Sequence, residues 1–235
     1  MEKKIWDKEN YSVFLNDLYK KGDRGYKEFH SSLGIDNSYL IGINSPTLKE
    51  IAKEISNTDY LSFIKFNTHG TYEERMIHGL LLGDIKDDFT TILSMLKDFI
   101  PYIDNWALCD ATAANLKVTR KNLKCAFPFV QECLNDGNSW SQRLGFVLLL
   151  DYYINDEYID IILDLCNRHE TDEYYVKMAI AWLISACYIK QKEKTIKFLK
   201  SNNLSPWIQN KAIQKIRESK RVSEEEKNEI TLWRT

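Results

Sequence analysis

The chain has 235 residues, a net charge of −2, nine glycines and only four prolines. This composition disfavours a β-sandwich or barrel, and no stretch of about eighteen uninterrupted apolar residues is present to span a membrane. The first residues, Met-Glu-Lys-Lys, are not followed by the apolar run of a signal peptide, so we expect a cytosolic protein.

The N-terminal part, up to about residue 66, has apolar residues at helical spacing. The pattern predicts three helices, near residues 8–20, 24–33 and 46–55, followed by a short apolar segment at 60–66. Ser45 is the predicted N-cap of the third helix and Pro46 its first residue, because serine and proline favour those positions.

From about residue 71 to 221 a longer period appears, with helix starts 32 to 35 residues apart. The predicted starts are Thr71, Asn105, Asn138, Glu173 and Ser205. Each start opens a helix pair whose second helix lies near 88–100, 123–135, 156–169 or 192–201. One pair cannot bury its apolar faces alone, so successive pairs stack into a curved array. The sequence therefore predicts an all-α solenoid forming one domain over residues 1–235, with a capping helix at about 222–235.

The cysteines and histidines do not suggest a cross-linked or metal-bound protein. The five cysteines are odd in number, no CxxC occurs, and the four histidines are scattered. A disulfide framework and a zinc site are therefore not predicted. We expect the cysteines to be small core residues.

Charge is distributed unevenly along the chain. Residues 174–221 hold eleven Lys or Arg against two Glu, a balance of +9, and the remainder has a balance of −11. This asymmetry is compatible with a basic surface in the C-terminal third or with ordinary solvated Lys-rich helix faces.

The stretch 104–110 (Asp-Asn-Trp-Ala-Leu-Cys-Asp) stands out in the middle of the chain. On a helix, Trp106 and Asp110 are one turn apart and share a face. Asp110 and Arg143 each lie five residues after a predicted helix start, and Trp182 lies nine residues after one. The repeat register predicts that these four side chains meet on one surface.

These residue types suit a particular chemistry. Aromatic faces attract cations, and a carboxylate stabilises positive charge that develops at a sugar carbon. An alkylated purine already carries positive charge and leaves as a neutral base, so one carboxylate suffices. Arginine would hold a phosphate. Taken singly, however, each residue is also compatible with a packed aromatic or a structural ion pair.

Three motifs resemble those of the AlkD-like DNA alkylation repair proteins, which are DNA glycosylases built from HEAT-like helical repeats. Residues 105–110 match the Trp-x-x-x-Asp element of that family, and residues 140–143 match its Trp-x-x-Arg. Residues 174–182 match its paired aromatics followed by Ala-Ile-x-Trp. The turn at 41–46 resembles the family's Gly-Ile-x-Thr/Ser-Pro. The resemblance runs from about residue 41 to 216.

The resemblance implies an enzyme that removes 3-methyladenine and 7-methylguanine from duplex DNA. Asp110 would be the catalytic carboxylate, Trp106 and Trp182 would contact the deoxyribose, and Arg143 would hold a backbone phosphate. Neither a metal nor an organic cofactor is implied. We expect a cytoplasmic monomer that associates with the nucleoid when bound to DNA. The alternative is a non-catalytic or narrowed-activity relative that acts as a nucleic-acid- or protein-binding scaffold.

Overall fold

The computed structural model describes residues 4–235, which are 73% helical and contain no strand. The chain divides into two compact units, one ending at Val118 and the other spanning Thr119–Thr235. The prediction of an all-α helical-repeat protein is confirmed. The single-domain organisation over residues 1–235 stays a prediction, and its first three residues lie outside the described part.

Between residues 4 and 118, the first unit contains seven α-helices. They are α1 (Lys8–Lys20), α2 (Arg24–Ser32), α3 (Ser45–Ile55), α4 (Tyr60–Phe66), α5 (Tyr72–Asp84), α6 (Phe89–Phe99) and α7 (Trp106–Asn115). Short 3-10 helices occur at Asn37–Tyr39 and Ile100–Tyr102. In this unit α5 packs against both α3 and α7. It is buried over most of its length, as expected of a central helix.

The second unit contains the remaining helices. They are α8 (Leu123–Leu134), α9 (Ser139–Leu148), α10 (Ile159–Arg168), α11 (Tyr174–Lys190), α12 (Lys192–Lys200), α13 (Pro206–Glu218) and α14 (Glu224–Thr231). A 3-10 helix, Lys117–Lys121, leads into the unit, and a π-helical stretch, Leu149–Tyr153, follows α9. Here α11 is central and packs against α9 and α13.

The predicted repeat starts coincide with the observed helix caps. The N-caps of α5, α7, α9, α11 and α13 are Thr71, Asn105, Asn138, Glu173 and Ser205. The second helix of each pair is also found within three residues of its predicted bounds. The cap of α3 is one residue earlier than predicted, because the side chain of Asn44 rather than Ser45 accepts the amide hydrogen of Thr47.

Two glycines bring α7 unusually close to α5. A Cβ atom on Gly79 would lie 2.1 Å from Oγ1 of Thr112, and one on Gly83 would lie 2.2 Å from the carbonyl oxygen of Asn115. Both distances are far inside van der Waals contact. The helix that carries Trp106 and Asp110 is thus fixed against α5 by backbone approach, and larger residues at these glycines would displace it.

The turn at residues 41–43 is held by a buried carboxylate. Glu73, at the start of α5, is 1% exposed and accepts the backbone amides of Ile41, Gly42 and Ile43 at 2.9, 2.7 and 3.2 Å. Gly42 has φ +102°, a conformation that favours glycine. A Cβ there would also meet the carbonyl oxygen of Asp23 at 2.3 Å, so the turn requires glycine for two reasons.

All five cysteines are free thiols. Four are buried, as predicted, but Cys125 is exposed, so the prediction that every cysteine is a core residue is wrong. Cys125 occupies the first turn of α8, whose buried side chains begin at Ala126. Between residues 4 and 235, no helix is both long and apolar enough to cross a bilayer.

Candidate active site

The candidate site begins at the first turn of α7. Asn105 caps the helix, and its Oδ1 accepts the amide hydrogen of Leu108 at 2.9 Å. Its Nδ2 donates to Oδ1 of Asp104 at 2.8 Å and to the hydroxyl of Tyr39 at 3.1 Å. Asn105 therefore accepts from a backbone amide that has no partner within the helix, and it links the start of α7 to the side chains of Asp104 and Tyr39.

Asp104 connects this turn to α5. Its carboxylate accepts from Nη1 of Arg75 at 2.6 Å and from the Tyr39 hydroxyl at 3.0 Å. Nε of Arg75 also donates to the carbonyl oxygen of His69 at 2.8 Å. Burial, followed by the negative charge of Asp104, raises the pKa of Tyr39, which keeps the phenol protonated as a donor. These contacts fix the position of the start of α7.

Trp106 and Asp110 share the accessible face of α7. The opposite face is buried through Leu108, Cys109, Thr112 and Ala113. The accessible face consists of Trp106, Ala107, Asp110, Ala111 and Ala114. Three alanines around a half-buried indole and a half-buried carboxylate leave room for a ligand to approach both. The predicted pairing of Trp106 with Asp110 on one face is thus observed.

The indole of Trp106 has a fixed anchor in the first unit. Its Nε1–H donates to the carbonyl oxygen of Leu33, just after α2, at 3.2 Å. The chain turns sharply there, since Gly34 has φ +85°. Because the ring is held at the helix start and at this turn, it presents one orientation beside Asp110.

Arg143 lies on α9 of the second unit and is only 5% exposed. Its Nη1 donates to the carbonyl oxygen of Tyr175 at 2.7 Å, and its guanidinium carbon lies 5.9 Å from the centre of the Tyr175 ring. Arg143 is therefore a fixed cation and not a mobile surface one.

Trp182 lies on α11 and is 38% exposed, although Ala181 and Leu183 on either side of it are fully buried. It is seven residues beyond Tyr175, or about 10 Å along the helix axis. Arg143 contacts the first turn of α11. Within the second unit, the arginine therefore lies beside the start of α11, and the indole lies about two turns further along the same helix.

The four predicted residues thus divide between the units. Trp106 and Asp110 lie on α7, whereas Arg143 and Trp182 lie on α9 and α11. The first two share a face. The convergence of all four on one surface stays a prediction.

Sequence reasoning assigned no role to Arg75, Asp104 or Tyr39. One signal was available: Arg75 follows two glutamates at the start of a helix that is otherwise strongly apolar. Charged residues in such a helix have to find partners on neighbouring elements. The partner of Arg75 is Asp104, 29 residues away in sequence, and Asp104 in turn contacts Tyr39, 65 residues away. No local sequence pattern encodes contacts at such separations.

Within residues 4–235 no group of three or more His, Cys, Asp or Glu side chains is arranged to hold a metal ion.

The sequence signature of the family described as "DNA alkylation repair enzyme" matches residues 14–216, which is most of the chain. No curated protein matches the sequence of this chain. The match includes α7, α9 and α11 together with the motifs found on them. The chain therefore belongs to the DNA alkylation repair enzyme family.

Proposed function

We propose that the protein is a DNA glycosylase that excises positively charged alkylated purines, such as 3-methyladenine and 7-methylguanine, from duplex DNA. The observation that carries the proposal is the accessible face of α7, where Trp106 and Asp110 stand one turn apart among alanines. Membership of a DNA alkylation repair family supplies the class of substrate. We propose that it acts as a cytoplasmic monomer, without a cofactor.

The reaction breaks the bond between C1′ of the deoxyribose and the ring nitrogen of the base. The bonding electron pair leaves with the purine and neutralises its positive charge. A water molecule adds to C1′ and gives its proton to solvent. Asp110 either opposes the oxocarbenium-like charge on the sugar or orients this water. No acid is required for the leaving group, which explains why one carboxylate is enough.

The other site residues position the substrate. Trp106 and Trp182 would pack against the deoxyribose, where an indole face also stabilises developing positive charge. Arg143 would bind a backbone phosphate. Because this guanidinium is buried and already donates to Tyr175, we expect it to act as one fixed donor with a defined direction. The contacts of Asn105 and Asp104 would hold the helix that carries Asp110 in place.

The proposal is tested by base release from three duplexes that differ only at one position. One carries 7-methylguanine, one carries uracil as a neutral lesion, and one is undamaged. We expect release of free 7-methylguanine and none from the other two, because a neutral base would leave as an anion, and an ionised carboxylate cannot stabilise that charge. Equal release from the uracil duplex, or no release from any duplex, would reject the proposed chemistry.

The alternative is a scaffold that binds nucleic acid or protein without cleaving a glycosidic bond. The net charge of −2, which is low for a duplex-binding enzyme, favours it. The same experiment separates the two, since a scaffold of either kind releases no base from any of the three duplexes.

A further inference from the structure

The second unit carries a row of four aromatic rings across the first turns of α9, α11 and α13. Trp140 lies 5.0 Å from Tyr175, Tyr175 lies 5.2 Å from Tyr174, and Tyr174 lies 5.8 Å from Trp207, measured between ring centres. We call these four residues the aromatic ladder. Their spacing is that of interacting aromatic pairs, so the rings support one another.

The far end of the ladder is exposed. Tyr174 is 55% exposed and Trp207 is 36% exposed, whereas Trp140 and Tyr175 are half-buried. The helices beneath the exposed rings are anchored by buried apolar residues, including Val176 and Ile208. Ser205 also caps α13 one turn before Ile208. The backbone under the two exposed rings is therefore fixed, although the rings themselves face solvent.

Two lysines accompany the exposed end. The ammonium groups of Lys177 and Lys211 each lie 5.6 Å from the centre of the Trp207 ring. Neither forms an ion pair within the part of the chain that the structure describes, and Lys211 donates only to the neutral Gln214. Both charges are thus held beside an exposed indole and remain available to an anion.

The local charge is not strongly positive. Glu170, Asp172 and Glu173 lie within four residues before Tyr174 in sequence, and their charges offset those of the two lysines. A partner recognised through phosphate charge alone, such as undistorted duplex DNA, would gain little from this surface. Exposed aromatic faces gain most from a partner that offers flat, unpaired rings as well as phosphates.

We propose that the exposed end of the aromatic ladder binds single-stranded nucleic acid, with unpaired bases stacking on Tyr174 and Trp207 and Lys177 and Lys211 contacting the flanking phosphates. Such a site goes beyond base excision from a duplex. It also does not depend on the proposed glycosylase activity, because every residue in it lies on the second unit and none is among the four candidate site residues.

The test compares two fluorescent strands of equal length and charge by anisotropy at low salt. One is an oligothymidine of about ten nucleotides, a typical single-strand site size. The other has the same backbone with abasic residues throughout. We expect the oligothymidine to bind roughly a hundredfold more tightly, since stacking on each of the two aromatic side chains contributes about tenfold. Tyr174→Ala and Trp207→Ala should each reduce this difference to about tenfold, whereas Trp207→Phe should retain it.

The matched control is Trp233→Ala. Trp233 is another half-exposed indole of the second unit with a lysine over its ring, Lys200 at 4.8 Å, but it is not part of the ladder. This variant should bind both strands as the wild type does. Circular dichroism melting of each variant shows that it folds.

Equal affinity for the two strands would overturn the proposal, as would absence of binding to either strand at low salt. A loss in Trp233→Ala as large as that in Trp207→Ala would also contradict it. Base release from the 7-methylguanine duplex is scored separately. A wild type that prefers the oligothymidine but releases no base supports this site while rejecting the glycosylase.

Discussion

The two units of the molecule bury different kinds of side chain. Among residues 4–118, five histidine and glutamate side chains are buried: His30, His69, Glu73, Glu74 and His78. Among residues 119–235, Arg143 is the one charged side chain that is buried, and the other buried polar side chains are uncharged: Thr119, Ser141, Ser185, Thr195 and Gln209. A buried ionisable group makes folding depend on protonation, whereas a surface one is available to ligands. The folding of the first unit is thus coupled to protonation of buried groups, whereas the second unit keeps nearly all of its charged side chains accessible to ligands.

The buried carboxylates of the first unit are fully engaged. Glu74 accepts from the hydroxyls of Tyr11 and Thr68 at 2.5 and 2.8 Å and from the amide of Thr71 at 2.9 Å. Glu73 accepts three amides of the 41–43 turn. The imidazoles are less well satisfied, because His69 and His78 bond each other at 2.8 Å while Nε2 of His78 has no hydrogen-bond partner among residues 4–235.

The largest expected effect is acid destabilisation of the first unit. Burial lowers the pKa of His69 to about 4 and that of His78 to about 3, against an ordinary value of 6.5. Below pH 6.5 the unfolded chain therefore binds protons that the folded chain does not. The contribution of these histidines to stability is present above pH 6.5 and is lost as the pH drops, by up to about 2.7 kcal/mol for each histidine at pH 4.5. Urea unfolding across this range measures the loss.

Two further measurements test whether the buried histidines of the first unit cause this acid destabilisation. Amide hydrogen exchange at low pH should increase in residues 4–118 before it increases in residues 119–235, and the reverse order would contradict it. His78→Leu keeps the side chain apolar and cannot titrate. It should reduce the slope of stability against pH by about 1.4 kcal/mol per pH unit.

Removal of the Glu73 carboxylate should have the next largest effect. Glu73→Ala leaves the amides of Ile41, Gly42 and Ile43 without their acceptor, and we expect a loss of about 3 kcal/mol in the free energy of unfolding. The control is Glu28→Ala, which removes an exposed carboxylate paired with Arg24 at 2.9 Å and should cost under about 0.5 kcal/mol. Equal losses of unfolding free energy in the two variants would show that the buried hydrogen bonds of Glu73 contribute no more to stability than an exposed ion pair does.

Asn105→Ala tests the cap of α7 at a smaller scale. It removes one capping acceptor and two donors to the Asp104 and Tyr39 pair, so a loss of about 1–2 kcal/mol is expected in chemical denaturation. Asn138→Ala on α9 removes a cap of the same type without that network. It should cost about 1 kcal/mol, and a larger loss there than at Asn105 would contradict the account.

The smallest change in stability is expected for Trp106→Phe. The phenylalanine keeps an aromatic face beside Asp110 but loses the hydrogen bond to Leu33. We expect a change in stability of about 1 kcal/mol or less, since a single neutral hydrogen bond contributes that much. Thermal melting measures it, and a loss above about 2 kcal/mol would mean that the indole is chiefly a packing residue.

The fold was largely predictable because its signals are local. Asn105, Asn138 and Ser205 are good N-cap residues placed just before apolar periodic segments, and each is observed as a cap. The one cap that was predicted a residue late lies in the sequence Asn44-Ser45, where two good capping residues compete.

The candidate site was only partly predictable. Trp106 and Asp110 could be paired from helical spacing alone, because they lie on one element. The Glu73 tether and the Asp104 to Arg75 ion pair join elements about 30 residues apart. Their partners are chosen by packing between helices, including the close approach at Gly79, and packing of this kind has no sequence period.

The most direct measurement is the rate of 7-methylguanine release by Asp110→Asn under single-turnover conditions. Asparagine preserves the shape of the side chain and removes its negative charge. We predict a fall of at least about a hundredfold in rate, as expected when a group that stabilises transition-state charge is removed, with little change in duplex affinity. The control Asp98→Asn makes the same substitution at an exposed position of α6 and should leave the rate unchanged. Release by Asp110→Asn within about threefold of the wild type would contradict the central role of this carboxylate.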